Sequence, residues 1–337
     1  MMKATAVAPA NIAFIKYWGR RDAKLRLPYN SSISMNLNAC ITTTTVEFSP
    51  CYHADEFMLL TQNKFIKSSL ELKFNELEKE RISAHLDRIR DLANIKDMSK
   101  VVTINNFPKS SGIASSASGF AALTLAATAA AGLDLSEKDL SILARFGSGS
   151  ACRSVPDGFV EWLTGDSSET SFAYSLYRAS YWDLRDVLVI IGSEPKKIPT
   201  SAGMDNVTTS PLWRVRLRAL PQRILRIKEA LKTKNFVLLG RIIEEDCLEM
   251  HRGMQTQDPP LFYWNDKTRK IMEAVYNWRK DGLAVYFTID AGPNVHIICE
   301  GKDEQRVTGL AKTIKGVEAV ISNKPAQGTR LTKEHLF

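Results

Sequence analysis

Apolar and polar positions along the chain switch between two periods, and the switches outline a mixed β and α organisation. Residues 3–8 and 41–48 predict strands; the second, ITTTTVEF, is dense in β-branched side chains. Residues 57–67 predict a further hairpin. From 76 to 93 the period changes, with Leu77, Ile82, Leu86, Ile89 and Leu92 at helical spacing. VVTINN at 101–106 predicts a strand that runs into a Ser/Gly loop and then an alanine-rich helix over 119–132. Alanine is the best helix former, and its small side chain allows close helix packing. A second helix is predicted over 136–146, then strands at 157–164 and 171–175. The apolar run VLVIIGS at 187–193 reads as a buried strand that opens the second half. Helices are predicted over 211–233, 235–250 and 266–280. LAVYFTIDAGPNVHIIC predicts a two-strand hairpin around a tight Ala-Gly-Pro-Asn turn.

The length, 337 residues, exceeds one typical core and suits two packed domains, expected here as 1–186 and 187–337. With 44% hydrophobic and 24% charged residues, the composition is that of a folded protein. No stretch approaches the roughly 18 consecutive apolar residues of a membrane helix. The opening MMKATAVAPANIAFIKYWG lacks the tripartite pattern of a signal peptide. The five cysteines are widely spaced and form no CxxC pair, which argues against a disulfide framework or structural zinc. A cytoplasmic location is the expectation. The net charge of +8 suits either nucleic acid or small polyanions such as ATP and phosphorylated substrates. The densest basic clusters are Arg20–Arg21, Lys196–Lys197 and Arg214–Arg226. None lies near an RNA-binding or helix-turn-helix signature, so no nucleic-acid partner is expected.

PKSSGIASSASG at 108–119 is a strand end, a small-residue loop and a helix start. Such a loop lets backbone approach an anion, and free N–H groups with the helix dipole favour phosphate. It contains no Walker sequence. A serine-rich cap on an alanine-rich helix gives the same pattern. Arg153, after GSGSAC, carries a guanidinium that can grip a carboxylate or phosphate in two parallel hydrogen bonds. Ser148, Gly149 and Ser150 form a loop of small residues suited to a phosphate chain, or a glycine turn ending a helix. Asp290 before Ala-Gly is either a turn builder or a carboxylate aimed into a cleft. Cys152 is not read as a nucleophile, because no His/Asp pair accompanies it. The five histidines form no metal-binding pattern, and His296 reads as a packed strand residue.

Four blocks carry a resemblance. They are APANIAFIKYWGRRD with LPYNSSIS, NNFPKSSGIASSASGFAAL, ARFGSGSACRSVPDGFVEW, and IDAGPNVH. In order and spacing they resemble the diphosphomevalonate decarboxylase branch of the GHMP small-molecule kinase superfamily. The resemblance implies an α+β fold of two subdomains, ribosomal-protein-like βαβ first and ferredoxin-like second, with the site between them. It further implies ATP and Mg2+ and a homodimer. The implied reaction phosphorylates the 3-hydroxyl of diphosphomevalonate, then expels phosphate and CO2 to give isopentenyl diphosphate.

On this resemblance Asp290, Lys16 and Arg153 are the catalytic residues. Asp290 would act on the 3-hydroxyl as base or orienting acceptor, or stabilise a cationic state. Lys16 would hold Asp290 and the hydroxyl, where its alternative is an ordinary lysine on an edge strand. Substrate contacts are expected from Tyr17, Trp18, Gly19, Arg20, Arg81, Ser148, Gly149, Ser150, Ala151, Cys152, Arg153 and Thr209. Arg20 replaces a family lysine, which exchanges a point charge for a planar fork. Arg81 is equally readable as a solvated helix arginine. Nucleotide contacts are expected from Ser111, Gly112, Ala114, Ser115, Ser116 and Ala117, with Ser115 also toward the metal. The alternatives are a 5-phosphomevalonate decarboxylase, a mevalonate-type kinase without decarboxylation, and a nucleic-acid-binding protein.

Overall fold

A computed structural model describes residues 2–61, 74–107, 115–192 and 200–337. In chain order the first half contains β1 (Met2–Ile15), β2 (Arg20–Asp22), β3 (Leu27–Pro28), β4 (Ser32–Ser49), β5 (Glu56–Thr61), α1 (Glu76–Ala93), β6 (Met98–Asn105), α2 (Ser115–Ala130), α3 (Glu137–Gly147), β7 (Phe159–Trp162) and β8 (Ala173–Tyr177). The rest contains β9 (Leu184–Ile190), α4 (Thr200–Asp205), α5 (Trp213–Lys232), α6 (Phe236–Thr256), α7 (Asp266–Lys280), β10 (Tyr286–Thr288), β11 (Val295–Glu300), α8 (Glu304–Thr313), β12 (Ala319–Asn323) and β13 (Arg330–Thr332). The architecture is α+β, as the sequence predicts.

The long strand β4 organises the first sheet. It pairs antiparallel with β1 from Met2↔Phe48 to Ile15↔Ile33. Its early residues also pair with β7 and its late residues with β6. Strand β1 runs past the predicted end at residue 8, because Pro9 sits where the register shifts. A proline is tolerated at such an irregularity, where its missing N–H breaks no regular ladder. Of the hairpin expected over 57–67, residues 57–61 belong to strand β5, which lies parallel to β6 from Glu56↔Lys100 to Thr61↔Asn105; residues 62–67 lie outside those described. Parallel strands need a crossover, which α1 supplies. That helix starts with a reciprocal cap: Asn75 Oδ1 accepts from Glu78 N–H at 2.9 Å, and Glu78 Oε2 accepts from Asn75 N–H at 3.0 Å. Ile82, Leu86 and Ile89 of α1, with Phe120 and the alanines of α2, bury one face of this sheet.

The second sheet has the order β10-β11-β9-β12. The predicted hairpin is present as β10 and β11, with Tyr286 opposite Ile298. Strand β9 divides its apolar side chains between two cores. Leu184, Leu188 and Ile190 join Ile12, Phe14, Ile33 and Met35 of the first sheet, together with α5 and α6. Val187 and Val189 face α7 and α8. Burial on both faces explains the unbroken apolar run. The division expected after residue 186 falls inside β9, and β13 returns to pair with β1. The two sheets therefore share a core.

Gly240 tests the contact between α6 and β10. A Cβ at this mid-helix position would overlap the Tyr286 ring. Helix propensity alone favours Gly240→Ala by about 1 kcal/mol. Overpacking costs about 1–3 kcal/mol. We expect Gly240→Ala to lower stability in urea unfolding; a gain contradicts the contact.

Candidate active site

The end of β1 and the turn after β10 meet across the two sheets. Lys16 is the first residue beyond β1 and is only 1% exposed, so it is no edge-strand surface lysine. Its Nζ donates to Asp290 Oδ1 at 2.5 Å. Asp290 opens the turn, where Gly292 N–H donates to Asp290 C=O at 2.8 Å. The Asp290 side chain is 23% exposed. Burial pushes its carboxyl up, but Lys16, His296 and Arg153 pull it down further, and the balance lies below the ordinary aspartate value. His296 is the packed strand residue expected, with Nδ1 2.9 Å from Asp186 Oδ1.

Arg153 belongs to a 3₁₀ turn, Gly149–Ser154, and is 3% exposed. Its Nη1 donates to Ser32 Oγ at 2.7 Å and its Nη2 to Asn11 Oδ1 at 3.2 Å. Among the described residues its Nε has no hydrogen-bond partner. No carboxylate pairs with it among the described residues. Burial lowers its hold on the proton, partly offset by Cys152 and Asp290. A buried cation with an unused donor is set up for an anion. Asn11 also donates to Ser150 C=O at 3.2 Å and to Ser154 Oγ at 2.9 Å, which ties the turn to β1.

The predicted phosphate elements are adjacent. Ser116, in the first turn of α2, has Oγ 3.2 Å from Ser148 Oγ, which lies 3.4 Å from Ser150 Oγ. The first turn of α2 carries no acidic residue, so its dipole is open to an anion. Ser115 lies beside Ser116, and Ala117 is fully buried, leaving only backbone to offer. Ser111, Gly112 and Ala114 lie outside the described residues. Ser148 also caps α3, its N–H donating to Ala144 C=O at 3.1 Å. The helix-ending role and the loop role therefore coexist.

Tyr17 and Trp18 point to different places. Tyr17 stands edge-on to Trp162, with centroids 4.6 Å apart. Its ring lies against Gly149, where a Cβ would meet it at 2.7 Å. Burial pushes the Tyr17 phenol up to about 12, with Arg20 and Arg26 pulling the other way, so it stays a neutral donor. Trp18 packs instead among Met204, Val207, Trp213 and Leu261. Gly19 has φ +92°, and a Cβ there would lie 2.8 Å from Val207 Cγ1, so only glycine fits. Ala151 and Cys152 are fully buried. The Cys152 thiol is pushed up to about 12 by burial, consistent with an inert thiol.

The remaining predicted contacts are already partly engaged. Arg20 Nη2 pairs with Asp205 Oδ1 at 2.5 Å. Arg81 Nη2 donates to Gly147 C=O at 2.9 Å, and its guanidinium lies 5.2 Å from the Phe120 ring. It thus reaches inward rather than into solvent. Thr209 is not brought to Lys16 or Asp290 by any contact. Its Oγ1 donates to Asn206 C=O at 2.6 Å and accepts from Asp258 N–H at 2.7 Å, the role of a turn residue. Arg26, a hairpin residue at φ 51°, is not singled out by any motif in the sequence. Burial and the charges of Arg81, Arg20 and Arg88 lower its pKa to about 10. It extends the cationic rim beside Tyr17. Asn11 and Ser32 are likewise not singled out; they lie inside the recognised blocks, but neither residue type announces a partner for arginine.

Comparison with known proteins agrees with this geometry. Residues 8–173 match the model of the diphosphomevalonate decarboxylase-like N-terminal domain. Residues 187–334 match that of the mevalonate 5-diphosphate decarboxylase C-terminal domain. The diphosphomevalonate decarboxylase mvd1 of Aspergillus fumigatus is 37% identical over 93% of this chain and 81% of its own length. That of Candida albicans is 33% identical over 100% of this chain and 99% of its own. The solved structure of MDDEF in complex with MVAPP, AMPPCP and magnesium is 37% identical, covers 99% of both chains and superposes with a TM-score of 0.90. The mevalonate diphosphate decarboxylase from Staphylococcus aureus is 36% identical over 98% of both chains, with a TM-score of 0.90. A site built from the ends of two sheets, and matches that span both halves, place the chain in the diphosphomevalonate decarboxylase family.

Proposed function

We propose that this chain catalyses the ATP-dependent decarboxylation of (R)-5-diphosphomevalonate to isopentenyl diphosphate, CO2, ADP and phosphate. The observation that carries the reading is the Lys16–Asp290 contact at 2.5 Å beside a buried arginine with an unused donor. The start of α2 and the Ser148–Ser150 loop take the phosphates. Beside them a pocket is lined by Thr42, Thr44, Arg81, Thr103, Ser116 and Phe120; the adenosine of ATP is assigned to it. The cationic rim of Arg20, Arg26 and Arg81 faces the diphosphate.

Asp290, ionised and low in proton affinity, orients the 3-hydroxyl toward the γ-phosphorus. The oxygen–phosphorus bond forms as the bond from phosphorus to ADP breaks, and the hydroxyl proton passes to an oxygen of the transferred phosphoryl group, which leaves Asp290 ionised. The carbon–oxygen bond to the new phosphate then breaks, and phosphate leaves with the electron pair. The carboxylate's carbon–carbon electrons become the double bond, and CO2 departs. Arg153 grips that carboxylate until it leaves. The negative field of Asp290 stabilises positive charge developing at carbon.

Among the described residues no cluster of three or more His, Cys, Asp or Glu could hold a metal. The donor set therefore fits Mg2+ held mainly by nucleotide phosphates, with the Ser115 hydroxyl as the protein's contribution. When bound, the ion neutralises phosphate charge.

The alternative readings lose support. The basic cluster at Arg214–Arg226 is partly internal, since Arg216 and Arg223 are buried against Asp246, and the Lys196–Lys197 cluster lies outside the described residues. The curated relatives are diphosphomevalonate decarboxylases, which favours the diphosphate over the monophosphate. No described helix is long and apolar enough to cross a membrane. Five unpaired cysteines suit a reducing compartment, and the cytoplasm and a homodimer belong to the same reading.

The direct test is CO2 release from diphosphomevalonate with and without ATP. We expect strict ATP dependence, and a loss of about 10³-fold or more in kcat for Asp290→Asn with nucleotide affinity kept. ADP formation without CO2 release points to a kinase instead.

Lys16→Met tests the electrostatics. The Asp290 carboxyl, followed by 13C NMR, should titrate at higher pH once the ammonium is gone. A depressed carboxyl stabilises the fold above its unfolded pKa, and this is lost as pH falls through the lower folded value. In Lys16→Met the folded value rises toward the unfolded one, so this pH-dependent stabilisation should shrink. An unmoved titration contradicts the pairing.

A further inference from the structure

Both peptide groups of Lys16 are held by side chains rather than by a strand ladder. Strand β1 ends at Ile15, after a register shift between Ala13 and Ile15. At Lys16 the N–H donates to Asp246 Oδ2 at 2.7 Å, and the C=O accepts from Asn30 Nδ2 at 3.1 Å. Asp246 lies on α6, in the middle of the helix, and is fully buried. A buried carboxylate needs compensation, and α5 provides it. Arg216 Nη2 donates to Asp246 Oδ2 at 3.1 Å, and Arg223 Nη1 to Oδ1 at 3.0 Å. Both arginines have side chains only 4% exposed. Glu249 and Glu245 complete the charge pattern around Arg223, at 2.7 and 3.0 Å.

This arrangement is costly for stability alone. Two buried guanidinium groups and a carboxylate must be desolvated, and apolar replacements often do better. What the arrangement achieves is placement. The carboxylate has a fixed position because two arginines from another helix hold both its oxygens. It therefore fixes the peptide N–H of Lys16 relative to α6. That helix also carries Cys247 and His251. The Cys247 sulfur accepts from Ile289 N–H at 3.2 Å, and His251 Nε2 lies 3.3 Å from Ile289 C=O. Ile289 directly precedes Asp290. One helix thus holds the backbone on both sides of the Lys16–Asp290 contact.

We infer that Asp246, with Asn30 at the other end of the same residue, is a positioning device for Lys16: it clamps the Lys16 peptide so that the ammonium meets Asp290 and the substrate hydroxyl. The inference rests on the proposed roles of Lys16 and Asp290. Neither Asp246 nor Asn30 touches the reacting atoms in this account. They act through Lys16.

The test compares Asp246→Asn, Asn30→Ala and Asp290→Asn with the parent enzyme. The readouts are kcat, both KM values, thermal stability and the acid limb of kcat/KM against pH. Asp290 is faced by Lys16 at the end of β1, Arg153 on the 3₁₀ turn, His296 on β11, and Cys247 and His251 on α6. Of these groups facing Asp290 only Lys16 is held by the clamp, so its release should let the Asp290 carboxyl take up its proton at higher pH. For Asp246→Asn we expect kcat to fall about tenfold or more, KM values to stay within about threefold, and the acid limb to rise by roughly half a pH unit or more. Asn30→Ala leaves the Asp246–Arg216–Arg223 cluster intact and therefore folds, with a smaller shift in the same direction. It decides the matter if Asp246→Asn does not fold. An unmoved acid limb and parent-like kcat in Asn30→Ala, or losses in Asp246→Asn that track thermal stability alone, overturn the clamp. If Asp290→Asn retains full rate, the underlying catalytic reading fails instead.

Discussion

One ion pair, Lys16 Nζ to Asp290 Oδ1, ties the site together across residues 274 positions apart. Each partner comes from a different sheet. A nearly buried ammonium cannot be left without an anion, so the pair requires the two sheets to keep their relation. The shared core supplies that relation, with Phe14 and Ile33 of one sheet packed in the same cluster as Leu188 and Ile190 of the other. Fold and site are therefore one construction. Lys16 and Asp290, to which the chemistry is assigned in the proposed function, lie where β1 and β10 run out of ladder partners, and short loops and side chains take over from backbone pairing.

The charge distribution follows from the same construction. The chain carries an excess of 8 positive charges, and they are used in two ways. Some are interior and paired, as with Arg216 and Arg223 around Asp246. Others lie close to one another around Tyr17, where Arg20, Arg26 and Arg153 all act on its phenol and Arg81 acts on Arg26. Arg26 and Arg81 each weaken the other's or a neighbour's proton affinity, and burial adds to this. Such crowding of like charge disfavours the empty state and favours polyanions. A phosphorylated substrate and a nucleotide relieve it together.

Much of the fold was legible because long periodic segments leave few options. The helix over 76–93 is legible from its apolar spacing, although of those positions only Ile82, Leu86 and Ile89 are buried and Leu77 and Leu92 are exposed. The parallel pairing of β5 was not legible. Its sequence shows that it is a strand, but the partner is chosen by the crossover through α1. The extension of β1 past Pro9 was hidden for a similar reason: a bulge excuses the proline, and bulges are set by pairing. The C-terminal α8, β12 and β13 are short and only partly apolar, so periodicity carried little signal there.

In the site, the residues that local motifs single out, the Ser148–Ser150 loop, Arg153, Lys16 and Asp290, stand in the sequence blocks themselves. Those that act through distant partners are not singled out in this way. Asp246 is one acidic residue in a helix of charged residues, and nothing local says that its partner is the peptide of Lys16. Trp18 stands beside Tyr17 in the sequence, yet the turn at Gly19 sends it into an apolar cluster.

The most direct measurement is a crystal structure of this chain with diphosphomevalonate and a non-hydrolysable ATP analogue. The account predicts an Asp290 carboxylate oxygen about 3 Å from the 3-hydroxyl, the Arg153 Nε–H donating to the substrate carboxylate, and the triphosphate at the start of α2. A substrate bound with its hydroxyl turned away from Asp290, or with its carboxylate remote from Arg153, contradicts it.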